Sequence, residues 1–242
     1  MKLALFLSDL HLSPTRPAAV AAFHAFTRGP ARQASDVYIL GDLFDWWIGD
    51  DQLRDPFAAD IARSLGELTA AGVRVHLARG NRDFLLGDRF VQATGATLLP
   101  EQQALDLAGR RTLLTHGDEL CTDDADYQRY RAWIRNPRRT RFLERLPYAI
   151  RRAIAAWLRR KSRDSTALKP EHILDVNPLA VDAAFRSHGA TRMIHGHTHR
   201  PARHVRAVDG IVRERYVLAD WHDQGRYLAV DEHGVQECEI RP

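Results

Sequence analysis

The sequence predicts an α/β fold carrying a helical insert, on three observations. Five apolar, strand-like stretches each end abruptly in Asp, Asn or His. Stretches of helical spacing alternate with the first of them. Between residues 120 and about 176 the rhythm stops, and a basic, helix-patterned segment takes its place. A short apolar run bounded by turn signals reads as a buried strand. Open α/β folds build their sites just past the carboxyl ends of such strands.

The first strand, Leu3-Ala4-Leu5-Phe6-Leu7-Ser8, runs into Asp9-Leu10-His11. Pro17 to Arg28 reads as a helix, with Pro17 near its start and Val20, Phe23 and Phe26 about a turn apart. Val37-Tyr38-Ile39-Leu40-Gly41 ends in Asp42 and a loop dense in acids and aromatics, through Asp51. Asp55 to Ala71 is the next helix, stopped by Gly72. Val73 to Gly80 delivers Asn81, and a short helix around Asp88 to Thr94 follows. Ala104–Leu107 and Arg111–Thr115 form a hairpin around Ala108-Gly109-Arg110, its second arm ending in His116.

In the insert, Tyr127, Tyr130 and Ile134 share one helical face. Pro147 starts a helix with Ile150, Ile154, Trp157 and Leu158 at helical spacing. The opposite faces are rich in Arg. Asn177-Pro178 opens another helix, to His188, with Gly189 as its stop. Arg192 to Ile194 is the strand that enters His195-Gly196-His197-Thr198-His199. Residues 205 to 240 read as short strands and turns, the far edge of an antiparallel sheet.

The 242 residues, 45% hydrophobic and 27% charged, suit one globular unit with an inserted subdomain. No apolar run approaches the ~20 residues of a membrane span. The N-terminus has no secretory-signal pattern. Cys121 and Cys238 form no CxxC pair, so a reduced, cytosolic chain is expected. Thirteen of the 35 Lys and Arg, but only one of the 31 acids (Glu144), fall in residues 127–163. The remainder holds 22 basic and 30 acidic residues, a net charge of −8. That asymmetry points to a local anionic partner: nucleic acid, a membrane surface or a phosphorylated substrate.

A lone His on an apolar stretch is usually a core residue, and Asp42 alone could cap a helix. The conjunction of Asp9, His11, Asp42, Asn81, His116, His197 and His199, all at strand ends and most beside glycine, points instead to metal. Seven N/O ligands exceed what one tetrahedral zinc requires. They fit two octahedral-type ions sharing a carboxylate, and suit Mn²⁺, Fe²⁺ or Zn²⁺.

Asp9-x-His11, Gly41-Asp42, Gly80-Asn81, His116-Gly117 and Gly196-His197-x-His199, in that order, resemble the calcineurin-like metallophosphoesterase signature. The resemblance implies one domain over residues 1–242: a two-sheet sandwich flanked by helices, with a helical lid insert at about 120–176. It implies one metal on Asp9, His11, Asp42 and His199, and a second on Asp42, Asn81, His116 and His197, with Asp42 bridging. Manganese is the metal it suggests. His195 lies outside the motif and is expected to be structural or to support the ligands.

Most of that superfamily has Gly-Asn-His, whose His protonates an alkoxide leaving group; this chain has Gly80-Asn81-Arg82-Asp83. Arg cannot give up a proton at working pH. Loss of a general acid typically costs ~10²–10⁴-fold. A phosphate leaving group needs none, so Arg82 favours pyrophosphate cleavage. The bland alternative pairs Arg82 with Asp83 or Asp88.

Longer stretches, 39–51, 80–87, 116–124 and 195–201, resemble the UDP-2,3-diacylglucosamine hydrolase family, nearly end to end. That resemblance implies attack of water on the α-phosphorus of UDP-2,3-diacylglucosamine, giving UMP and lipid X in lipid A biosynthesis. Asp42, Asn81, Arg82 and His116 would be catalytic. Asn81, Arg82, Asp124, Tyr127, Ser162, Thr166, Lys169 and His197 would bind substrate, although Thr166 stands where the family has Asn. The insert would take the acyl chains and rest on an anionic membrane, placing the chain on the cytoplasmic face of the inner membrane. No nucleic acid and no obligate protein partner are expected. The competing readings are a nuclease or nucleotide phosphodiesterase with nucleic acid on the basic insert, and a scaffold that has lost catalysis.

Overall fold

Side chains alternate along β1 (Ala4–Leu7), so its two faces bury different partners. Ala4 and Phe6 join one apolar cluster, Leu5 and Leu7 another. β2 (Asp36–Leu40) and β3 (Arg74–Ala78) repeat the pattern; β2 pairs in parallel with β1, and β3 in parallel with β2. Three helices cover the Leu5 and Leu7 side: α1 (Pro17–Arg28), α2 (Pro56–Ala70) and α3 (Asp88–Thr94). Asp55 caps α2, accepting from the Phe57 N–H at 2.9 Å. The computed structural model describes residues 3–167, 170, 173–222 and 224–240, with the backbone alone at 159 and 161–167.

β4 (Thr97–Leu98) adds to β3, a strand too short for the sequence pattern to announce. The chain then builds a second sheet from β5 (Gln102–Leu107), β6 (Arg110–Thr115), β7 (Arg192–His195), β8 (Ala202–Val208) and β9 (Ile211–Val217). Its order is β5-β6-β7-β9-β8. β10 (Arg226–Asp231) and β11 (Gly234–Glu239) return to the first sheet, whose order is β11-β10-β1-β2-β3-β4.

The single antiparallel edge expected over residues 205 to 240 is therefore corrected. Its two hairpins part: β9 lies parallel to β7, and β10 antiparallel to β1. Each hairpin is local, whereas the sheet it joins is chosen by which inner face its apolar residues complete. Tyr216 of β9 and Leu228 and Val230 of β10 meet Phe6, Tyr38, Leu114 and Ile194 between the sheets. α7 (Pro178–His188), capped by Asn177 and ended by Gly189 in the left-handed conformation, covers the outer face of the second sheet. Two sheets between helical layers bring the ends of β1, β2, β3, β6 and β7 to one rim.

The insert holds α4 (Ala125–Ile134), α5 (Pro137–Arg145) and α6 (Tyr148–Ala167). α5 was not separable in the sequence; Asn136 caps it and Pro137 starts it. Several arginines expected on an outer face turn inward. Arg131 and Arg135 reach Asp118, and Arg151 donates to the Ile48 carbonyl and Asp51. Buried carboxylates and loop carbonyls beneath these helices draw them in. Trp133, Phe142, Ile150 and Trp157 are exposed.

Candidate metal centre

The turns after β1 and β2 run side by side. The Asp9 N–H donates to the Gly41 carbonyl (3.1 Å), the His11 N–H to Asp42 (2.9 Å) and the Leu12 N–H to Leu43 (2.9 Å). Asp83 pins the next turn to them, accepting from the backbone N–H groups of Gly80 (2.7 Å), Leu43 (2.8 Å) and Asp42 (3.3 Å). Glycine makes this closeness possible. A Cβ on Gly80 would lie 2.0 Å from Asp42 Oδ1, and one on Gly41 2.6 Å from His116 Nδ1.

Asp9, His11, Asp42, His197 and His199 all have positive φ, between 47° and 69°. Among the described residues only Ala108 and Asp209, in hairpin turns, join them as non-glycines. This region costs an L-residue roughly 1–2 kcal/mol. Such strain gathers where function demands an otherwise unfavourable geometry.

All seven predicted ligands converge. Asn81 Oδ1 stands 3.0 Å from His116 Nε2 and 3.1 Å from His197 Nδ1. His199 Nε2 is 3.3 Å from both His11 Nε2 and Asp9 Oδ1. Asp42 lies between the two groups, one oxygen 3.8 Å from His11 Nδ1 and the other 3.8 Å from His116 Nε2. The His116 Nδ1–H donates to the Leu40 carbonyl at 2.9 Å, which leaves Nε2 facing the centre.

The electrostatics suit cations. Burial lowers His11 to about 3 and His197 to about 4, so both are neutral imidazoles with a lone pair at neutral pH. Burial raises Asp42 to about 7. Burial opposes protonation of His116, but Asp42, Asp9 and Asp118 together raise it to about 9. His11 Nδ1 is buried and makes no hydrogen bond. Buried carboxylates, neutral imidazoles and that orphaned nitrogen fit divalent cations.

A family model described as calcineurin-like phosphoesterase matches residues 3–201. UDP-2,3-diacylglucosamine hydrolase of Pseudomonas aeruginosa (strain UCBPP-PA14) is 47% identical over 234 residues, covering 97% of each chain. The enzyme of that name from Cellvibrio japonicus is 48% identical, covering 96% of each. The chain belongs to the calcineurin-like phosphoesterase family and, within it, to the UDP-2,3-diacylglucosamine hydrolases. A dimetal phosphatase from Danio rerio, 14% identical, superposes with a TM-score of 0.52 over 99% of this chain and 98% of its own, a likeness of fold.

Within this family architecture, Arg82 forms no ion pair with Asp83 or Asp88 among the described residues, and Asp83 is engaged by backbone N–H groups. The Arg82 N–H donates to Asp42 Oδ1 at 2.8 Å, and its guanidinium adds to the lowering of His11 and works against the burial that raises Asp42. Tyr127 lies against His197, ring centroids 5.9 Å apart. Asp124 caps α4, accepting from the Tyr127 N–H at 3.0 Å. Ser162 and Thr166 fall where only the α6 backbone is described, and Lys169 lies outside the described residues. His195 is buried, its Nδ1 2.9 Å from the Gly196 carbonyl and its Nε2 3.0 Å from Arg215 Nη1.

Four supporting residues escaped the sequence reading. Asp83 binds three backbone N–H groups, Ser8 donates to Asp9, Asp220 stands 3.4 Å from His199 Nδ1, and Asp118 accepts from Arg131 and Arg135. Asp83 and Asp118 carried a faint signal, being acids two residues beyond ligands in glycine turns. Asp220 carried none, being 21 residues from its partner.

Proposed function

We propose that this chain hydrolyses the pyrophosphate bond of UDP-2,3-diacylglucosamine, water attacking the α-phosphorus to release UMP and 2,3-diacylglucosamine 1-phosphate. The observation that carries this reading is the 47% identity across 97% of the chain to relatives named for that substrate. Asp9, His11, Asp42 and His199 would hold one divalent cation, and Asp42, Asn81, His116 and His197 a second, with manganese our assignment. Bound there, the two ions supply an activated water and charge for the phosphoryl oxygens.

The chain's own groups do the rest. The Arg82 backbone is fixed at both sides, its N–H by Asp42 and its carbonyl by the Trp47 N–H at 2.9 Å. Its guanidinium can hydrogen-bond anionic oxygens but holds no transferable proton, which suits a sugar-phosphate leaving group. Asn81 and His197 orient the phosphate. Asp124, Tyr127, Ser162, Thr166 and Lys169 bind the glucosamine phosphate, and α4–α6 enclose the acyl chains.

No helix among the described residues is long and apolar enough to cross a membrane. Exposed Trp133, Phe142, Ile150 and Trp157, interspersed with arginines, support docking of the lid on an anionic leaflet, on the cytoplasmic side of the inner membrane. Sedimentation with phosphatidylglycerol vesicles, reversed by high salt, is the expected result; no sedimentation at low salt removes the docking.

Incubation of the purified chain with UDP-2,3-diacylglucosamine and Mn²⁺ in detergent tests the reaction. Equimolar UMP and lipid X are expected, with UDP-N-acetylglucosamine a far weaker substrate, since each buried CH₂ contributes ~0.8 kcal/mol. Release of UDP, or no turnover, overturns the reading.

A further inference from the structure

One buried carboxylate joins the lid to the metal rim. Asp118 lies two residues beyond His116 and is 1% exposed. Its Oδ2 accepts from Tyr127 Oη (2.8 Å) and Arg131 Nε (2.8 Å) on α4, and from Nη2 of Arg135 (3.0 Å), the residue that caps the C-terminal end of α4. Gln128 Nε2, from the same helix, donates to the Asp118 carbonyl at 2.8 Å.

These donors lead on to ligand turns. The ring of Tyr127 lies 26° from parallel with His197. Arg135 Nη2 also donates to the Gly80 carbonyl at 3.1 Å, the residue before Asn81. Asp118 itself follows His116 through Gly117. Asn81, His116 and His197 thus connect to one carboxylate by three routes. The other ligands are held differently: Asp9 by Ser8 and the His197 N–H, His199 beside Asp220, and the His11 carbonyl by Arg16.

We infer that Asp118 and Arg135 are positioning residues that couple docking of α4 to binding of a cation at Asn81, His116 and His197. The inference rests on the ligand assignment above. Anything that orders these three side chains favours both events, so each strengthens the other. Removing Asp118 leaves Arg131 and Arg135 with the half-exposed Glu101 as their remaining acid partner, and an uncompensated buried charge is costly. Loss of groups that orient ligands typically costs 10–100-fold in metal affinity.

Manganese per chain, by elemental analysis after gel filtration, and Mn²⁺ affinity, by calorimetry, test this in full-length protein. The variants are Asp118→Asn and Arg135→Met. Wild type is expected to bind two ions. Asp118→Asn and Arg135→Met are expected to keep one tight ion and weaken the other at least about tenfold. Glu101→Gln, which removes only the exposed partner of the same arginines, is expected to bind like wild type. Hydrogen exchange supplies a second readout: Mn²⁺ should protect Ala125–Ile134 in wild type and less in Arg135→Met. Two ions of wild-type affinity in Asp118→Asn and Arg135→Met, or equal weakening of both ions, overturns the coupling and leaves the ligand assignment standing. Fewer than two ions in wild type overturns the assignment itself.

Discussion

At the scale of single residues, the centre is built from side chains in a backbone region they rarely adopt. The φ of Asp42 is 53°, and its two oxygens face opposite groups of imidazoles. Asp42→Ala removes the shared ligand and leaves three side chains on either side. We expect it to lose both ions; two ions per chain by elemental analysis would contradict the bridging role. Arg82→Ala should behave differently. Its side chain pairs with neither neighbouring acid, and the Asp42 contact it makes is through the backbone. We expect kcat/KM to fall by about 10²-fold with metal content unchanged; an unchanged kcat/KM would assign Arg82 to structure.

At the scale of elements, the parallel strands β2 and β3 are tied at the end remote from the centre. Asp36 and Arg74 are register partners, joined by two hydrogen bonds of 2.8 and 2.6 Å. Burial works against the Asp36 charge, but hydrogen bonds from Arg74, His76 and Ser35 hold its pKa below the ordinary carboxylate value. A lowered folded pKa stabilises the protein above the unfolded value of about 4, and that stability is lost as pH falls through the folded value. Asp36→Asn should therefore cost about 1 kcal/mol at pH 7, a small figure because the Arg74 side chain is 59% exposed. The gap from wild type should close as the pH drops below about 4. Urea unfolding at both pH values measures it; a gap that widens in acid would be the wrong sign.

At the scale of the whole molecule, the centre lies where two sheets meet. Asp9, His11, Asp42 and Asn81 follow strands of the first sheet, and His116, His197 and His199 strands of the second. Cations held there would cross-link the sheets, and binding to the folded state alone contributes about 2.7 kcal/mol at a hundredfold excess over Kd. Chelation followed by dialysis should lower Tm, and Mn²⁺ should restore it in a concentration-dependent way; a Tm indifferent to chelator would place the ligands in a rim that needs no metal.

Local features were legible in the sequence. Pro17 and Arg28 bound α1 as its spacing predicts, Asn177 and Gly189 enclose α7, and every candidate ligand leaves the end of a strand. Capping, apolar period and turn chemistry act over a few residues, so the linear chain displays them. Which sheet each hairpin joins, the separate helix α5, and the partnerships of Asp118 with Arg135, of Asp83 with Leu43 and of Asp220 with His199 were decided by the tertiary structure. A buried carboxylate takes whichever donors folding brings within reach, and packing, not spacing along the chain, selects them.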